Sequence, residues 1–193
     1  MARERGFSLA ETTIILAAVT VLAATAAPSV LDYVAEARDI KAAGDVEVLT
    51  HALSRLLFDV TALKPAAGSS ERPVMLVGPG DTATAAEPGC EAWLAALDGV
   101  AVHDLIDHLV VNNVGYPKRA DVGFAKGWNG PYVDGVSTDP WGRRYSTNVG
   151  IADGTSSLVV LSPGPNGAVE TPFRGTGLRA RGDDVVGVIG SSR

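Results

Sequence analysis

The chain reads as an α+β protein: one very long N-terminal helix laid against a small antiparallel β-sheet, with a helix-containing loop region between them. Three observations predict this. Thr12 to Leu31 is a run of twenty positions without a charge. From Ile40 to Leu63 apolar residues recur at offsets of three and four, the spacing of one helical face. Beyond residue 64 glycine and proline concentrate, and short apolar runs separated by turn residues take over, as in small strands.

Taken in order, the uncharged run carries Ile14, Ile15, Leu16, Val19, Val21 and Leu22 diluted by alanines. A helix of that length covers roughly 30 Å, the thickness of a bilayer's hydrocarbon core. Residues 7–31 are therefore expected to form a transmembrane segment, and 32–63 its amphipathic continuation, with a kink at Pro28. The second half should lay Ile40, Ala43, Leu49, Ala52, Leu53, Leu56, Leu57, Val60 and Leu63 against a globular domain. Gly44 weakens it by up to about 1 kcal/mol. Lys64-Pro65 ends it, because the residue before proline avoids the helical region. Residues 64–193 then make the domain. Its middle region, 65–126, is expected to hold a strand at Pro73–Val77 and short helices at Glu91–Leu97 and Val102–Val111. Its C-terminal sheet, 127–193, should use strands at Arg143–Val149 and Ser157–Leu161, a turn at 151–155, and a last strand after Gly182.

Composition excludes several function classes. Sixteen basic residues against 22 acidic ones give a net charge of −6, and no basic stripe follows the first residues, so no nucleic-acid partner is expected. Cys90 is the single cysteine, which excludes an intramolecular disulfide and reads as a small buried apolar residue. No G-x-S-x-G, H-E-x-x-H or glycine-rich phosphate loop is present, and the chain is not expected to be an enzyme. His103-Asp104-Leu105-Ile106-Asp107-His108 raises a metal site, since His103 with Asp107 and Asp104 with His108 are each four apart. The two histidines are five apart, however, and read as part of a polar helix face that does not converge.

At the N-terminus, Met1 to Gly6 carries Arg3 and Arg5, then come Phe7 and, five residues after Gly6, Glu11. An ionised carboxylate at the head of a membrane-length run is expensive and needs a partner or a purpose. An ordinary secretory signal does not place an acid there, and a plain anchor gives no reason for it. The arrangement resembles the leader of type IV pilins and the pseudopilins of type II secretion. The resemblance implies that 1–6 is a leader cut between Gly6 and Phe7 by prepilin peptidase, that Phe7 becomes N-methylated, and that Glu11 and Pro28 serve assembly.

Further on, Trp128-Asn129-Gly130-Pro131-Tyr132 and Asp139-Pro140-Trp141-Gly142-Arg143-Arg144-Tyr145 resemble the W-x-G-P-Y and D-P-W-G-x-x-Y stretches of the major pseudopilins. Independently of the family, Asp139 to Gly142 suits a tight turn, with the acid as acceptor, proline setting φ and glycine closing. Trp128, Tyr132, Trp141 and Tyr145 should cluster where that turn folds back on the helix. The resemblance also implies a calcium loop from the carbonyl of Pro163, Asn166 and the closing acids Asp183 and Asp184, with Glu170 nearby. Asn166 replaces the family's usual aspartate, and Arg174, Arg179 and Arg181 make the segment basic.

These likenesses imply a pilin-like fold and a structural subunit of a periplasmic pseudopilus acting as a piston in type II protein secretion. Before assembly the subunit would sit in the bacterial inner membrane, N-terminus cytoplasmic and globular domain periplasmic. Its partners would be further copies, other pseudopilins, the peptidase, a platform protein, an assembly ATPase and membrane lipid. A type IV pilin or minor pseudopilin is the alternative, and a membrane-anchored binding domain a more distant one. Residues 65–126 resemble nothing in that family.

Overall fold

The computed structural model describes residues 6–65, 72–95, 102–121, 126–149, 157–175 and 177–189, with the backbone alone at 26–29 and 95. Leader residues 1–5, the Pro28 side chain, the end of the first short helix beyond 95 and the turn at 151–155 lie outside this set. The chain divides into two compact units, 1–38 and 39–193. A single helix, α1 (Leu9–Val60, 52 residues), contributes to both.

In the first unit α1 leaves its apolar side chains uncovered. Ile14, Leu16, Val21 and Leu22 are each more than half exposed, and the segment is long and apolar enough to cross a membrane. The hydroxyls of Thr12, Thr13, Thr20 and Thr25 do not compromise this. Each donates back to a carbonyl of the preceding turn, at 2.8–2.9 Å, so the helix satisfies its own polar groups.

The second unit is built on a five-stranded sheet in the order β3-β1-β4-β5-β7. Its strands are β1 (Met75–Val77), β3 (Val102–Asp104), β4 (Ser146–Asn148), β5 (Leu158–Ser162) and β7 (Val185–Ile189). The sheet is mixed rather than antiparallel, because β1 pairs β3 in parallel. A separate parallel pair joins β2 (Thr84–Ala85) to β6 (Ala168–Val169). β1 and β3 both come from the middle region, which therefore supplies sheet as well as loop.

Alternation along the strands explains why β5 is apolar at every position but its last. Leu76 and Val160 turn toward Val46, Leu49, Leu53 and Leu56 of α1 in one core. Met75, Val77, Val159 and Leu161 turn the other way, onto Cys90, Trp93, Phe173 and Leu178 in a second. A strand buried on both faces carries no polar alternation. The second core was not legible, since its cover comes from α2 (Ala92–Ala95) and irregular segments.

Three expectations are corrected. Val102–Val111 is not one helix: 102–104 joins the sheet as β3, and only α3 (Leu105–Leu109) is helical. Helix α1 stops at Val60 because Thr61 adopts a left-handed conformation (φ 66°), although Leu63 is still buried. The buried stripe begins with Ala42 and Val46, while Ile40 and Ala43 face solvent. Close approach decides the stripe's position: a Cβ on Gly187 of β7 would overlap Thr50 Oγ1 and press on Val46, so strand and helix meet backbone to side chain there.

Candidate functional sites: the N-terminal segment and the C-terminal acidic loop

Gly6 and Phe7 precede α1 in extended, exposed chain, with Phe7 77% exposed. Ser8 caps the helix. The Ser8 N–H donates to Glu11 Oε2 at 2.8 Å and the Glu11 N–H donates to Ser8 Oγ at 3.2 Å. This reciprocal pair is a capping box, two otherwise unpaired donors satisfied at once. Its signal, serine three residues before glutamate, stands in the sequence. Glu11 thus has a local task at the head of α1.

The acidic loop follows β5. Gly164, Gly167 and Gly182 all have φ near +60°, and a Cβ on Gly164 or Gly182 would overlap the Asp183 carbonyl or the Glu170 carboxylate. The acids accept from the backbone across this tight crossing. Asp183 Oδ2 accepts from Asn166 N–H (2.9 Å), and Glu170 Oε2 from Asp183 N–H (3.0 Å). Asp184 Oδ2 accepts from the N–H groups of Glu170 (2.9 Å) and Thr171 (2.6 Å). Burial still pushes the Asp184 carboxyl up from its ordinary range, despite those bonds.

Oδ1 of Asp183 and Oδ1 of Asp184 are buried without a hydrogen-bond partner, the residue of charge that a cation would satisfy. Asn166 is committed inside the loop, with Oδ1 accepting from Ala168 N–H (2.6 Å) and Nδ2 donating to Glu170 Oε1 (3.3 Å). Pro163 is buried at the start of the turn. Among the described residues no three His, Cys, Asp or Glu side chains converge as a metal set. Asp183 and Asp184 are the residues here that would hold a cation.

The aromatic motifs fasten the domain to α1. Asp139, 2% exposed, accepts at Oδ1 from Trp141 N–H (3.0 Å) and Arg143 N–H (2.7 Å), and at Oδ2 from the Ser162 hydroxyl (2.7 Å). Pro140 sits half-buried in the turn, which Gly142 closes with φ 86° and an N–H bonded to Asp139 O (3.0 Å). The Tyr145 hydroxyl donates to Asp45 and the Tyr132 hydroxyl to Asp59, each at 2.9 Å, so the last residue of each motif grips the helix. Trp128 meets Tyr132 edge-on at 5.8 Å, with Gly130 lying against the Trp128 ring and Pro131 following through a cis bond. Trp141 is partly buried and belongs to neither core. Asp45 and Asp59 carry no motif of their own and could not be singled out beforehand.

The histidines contradict the expectation of a solvated face that keeps them apart. His103 is 8% exposed and His108 fully buried, with His103 Nδ1 3.2 Å from His108 Nε2 and His108 Nδ1 2.7 Å from the Tyr116 hydroxyl. The strand-to-helix change between them, not helical spacing, brings them together. Comparison of the chain with protein-family models, with curated proteins and with solved structures gives no match.

Proposed function

We propose that this chain is a pilin-like structural subunit of a helical filament, a pseudopilin of type II secretion, anchored in the bacterial inner membrane before assembly. The observation that carries the reading is the placement of Gly6, Phe7 and Glu11 at the exposed head of a membrane-length helix whose apolar side chains are exposed among the described residues. Such a surface must meet lipid or other copies of itself. Prepilin peptidase would cut after Gly6 and leave an N-methylated Phe7 amine. That cation and the Glu11 carboxylate of a neighbouring copy would each be costly alone among packed helices, and compensate one another when paired. Pairing of this kind sets register more than it adds stability.

In this reading 39–193 is the periplasmic body, extracted by an assembly ATPase and platform protein and pushing exoproteins outward. Calcium, if bound, would be held by Asp183 and Asp184 and would neutralise the carboxylates that close the loop. A plain single-pass anchor is the second reading, and the Ser8–Glu11 capping box favours it, since the cap gives the acid a purpose without any partner.

One comparison separates the two roles of Glu11, and filaments from the wild type set the filament subunit apart from a plain anchor. Glu11→Gln keeps a side-chain acceptor for the Ser8 N–H but removes the charge, whereas Glu11→Ala removes both. A filament subunit should lose assembly in both variants while inserting in the membrane normally. Normal filaments from Glu11→Gln would show that the cap alone matters. Gly6→Val should leave the precursor uncut, seen as unprocessed mobility on a gel.

A further inference from the structure

Four groups in the second unit form a hydrogen-bonded chain. The Lys64 N–H, four residues past the end of α1, donates to the Tyr116 hydroxyl oxygen at 3.2 Å. With the tyrosine's own hydrogen assigned to His108 Nδ1, 2.7 Å away, the chain takes one direction. His108 must then carry its proton on Nε2 and donate it to His103 Nδ1, 3.2 Å away. Both rings are neutral Nε2–H tautomers, stacked 5.4 Å apart, and every member of the chain has one donor facing one acceptor. Trp128 holds the segment in place by donating its indole N–H to the His108 carbonyl at 2.9 Å.

We propose that His103, His108 and Tyr116 are an acid-sensitive latch that ties the exit of α1 to the β3–α3 segment and releases it on protonation. A proton taken up at His103 Nδ1 would face the His108 Nε2–H, two donors in one contact. The pair resolves this only if His108 moves its own proton to Nδ1 and accepts at Nε2. Tyr116 then accepts from both His108 and Lys64, and its hydroxyl hydrogen loses its acceptor inside the protein. Uptake at the His103 end is thus felt where the chain leaves the helix. No bond is broken except hydrogen bonds, and the added proton comes from water.

The charged groups around the latch set its range. Asp104 and Asp107 favour protonated His103, while burial, the larger effect, opposes it. Lys64 points its ammonium at the Gly115 carbonyl beside Tyr116 (3.0 Å). Asp59 on α1 is occupied by Tyr132, whose N–H donates to the Leu109 carbonyl. Burial lowers both rings, His108 to about 4 with His103 as the second cause, so the latch is closed at neutral pH and opens only on acidification.

The test is amide hydrogen exchange on the full chain in detergent micelles, corrected for intrinsic exchange, at about pH 7 and about pH 4.5. Protection at Lys64 and across 109–116 should fall about tenfold or more in the wild type. His103→Gln, which cannot titrate, should keep its protection at the lower pH, although every carboxylate still titrates. An equal loss in that variant, or no loss in the wild type, would overturn the latch. Nitrogen NMR of the wild-type rings at neutral pH gives a second check: Nδ1 of both histidines must be unprotonated, and the opposite tautomer at either one refutes the chain directly.

Discussion

Asp139 gathers three donors onto one buried carboxylate, two from the turn it starts and one from Ser162 at the end of β5. Truncating it leaves those donors unpaired away from water, which costs about 1–3 kcal/mol for each group that fails to find a new partner. Asp139→Ala should therefore lower the stability of 39–193 by roughly 3 kcal/mol, read as a reduced denaturation midpoint, with Asp139→Asn falling between it and wild type. This turn was legible because aspartate, proline and glycine each announce a backbone conformation. The Ser8–Glu11 cap was equally legible. The histidine pair was not: five residues apart in sequence, they meet only because the chain changes from strand to helix between them.

Between α1 and β7 the decisive residue is Gly187. A Cβ there meets Thr50 and Val46, so Gly187→Val should push β7 off the helix and destabilise the unit by about 1–3 kcal/mol or more. Urea unfolding checks it, and an unchanged midpoint would mean the strand can shift freely. In the acidic loop, Asp183 Oδ1 and Asp184 Oδ1 lack partners. Calcium should raise the melting temperature with a dissociation constant of about 10⁻⁴–10⁻³ M, and Asp183→Asn should abolish the effect. No rise over EDTA controls would remove calcium from the proposed function. The helix was legible from its periodicity. At its N-terminal end the buried stripe runs through Ala42 and Val46 instead of Ile40 and Ala43, since periodicity alone does not say which of two neighbouring positions a sheet covers.

At the scale of the whole chain, acid should unfold 39–193 earlier than its carboxylates alone require. His108 is lowered from its ordinary value to about 4 by burial, so the unfolded state binds the extra proton first. Its contribution is present above about pH 6.5 and is lost as pH falls toward about 4, roughly 3 kcal/mol in all. Asp184, raised by burial, works in the opposite sense, because its folded state takes up a proton more readily. Thermal unfolding from pH 7 to pH 4 measures the balance, and a flat profile would contradict it. The α+β class and the membrane-length helix were legible from composition and spacing, whereas the parallel pairing of β1 with β3 and the second core were not. Both depend on contacts between segments far apart in sequence, with no local signature.

The seat of Gly187 against Thr50 joins positions roughly 140 residues apart in sequence. During synthesis the helix emerges first, and the strand that completes its core follows only after the whole intervening sequence has been made. The helix stripe waits uncovered until β7 has been made, so a product stalled before that strand exposes it to a holdase or a protease.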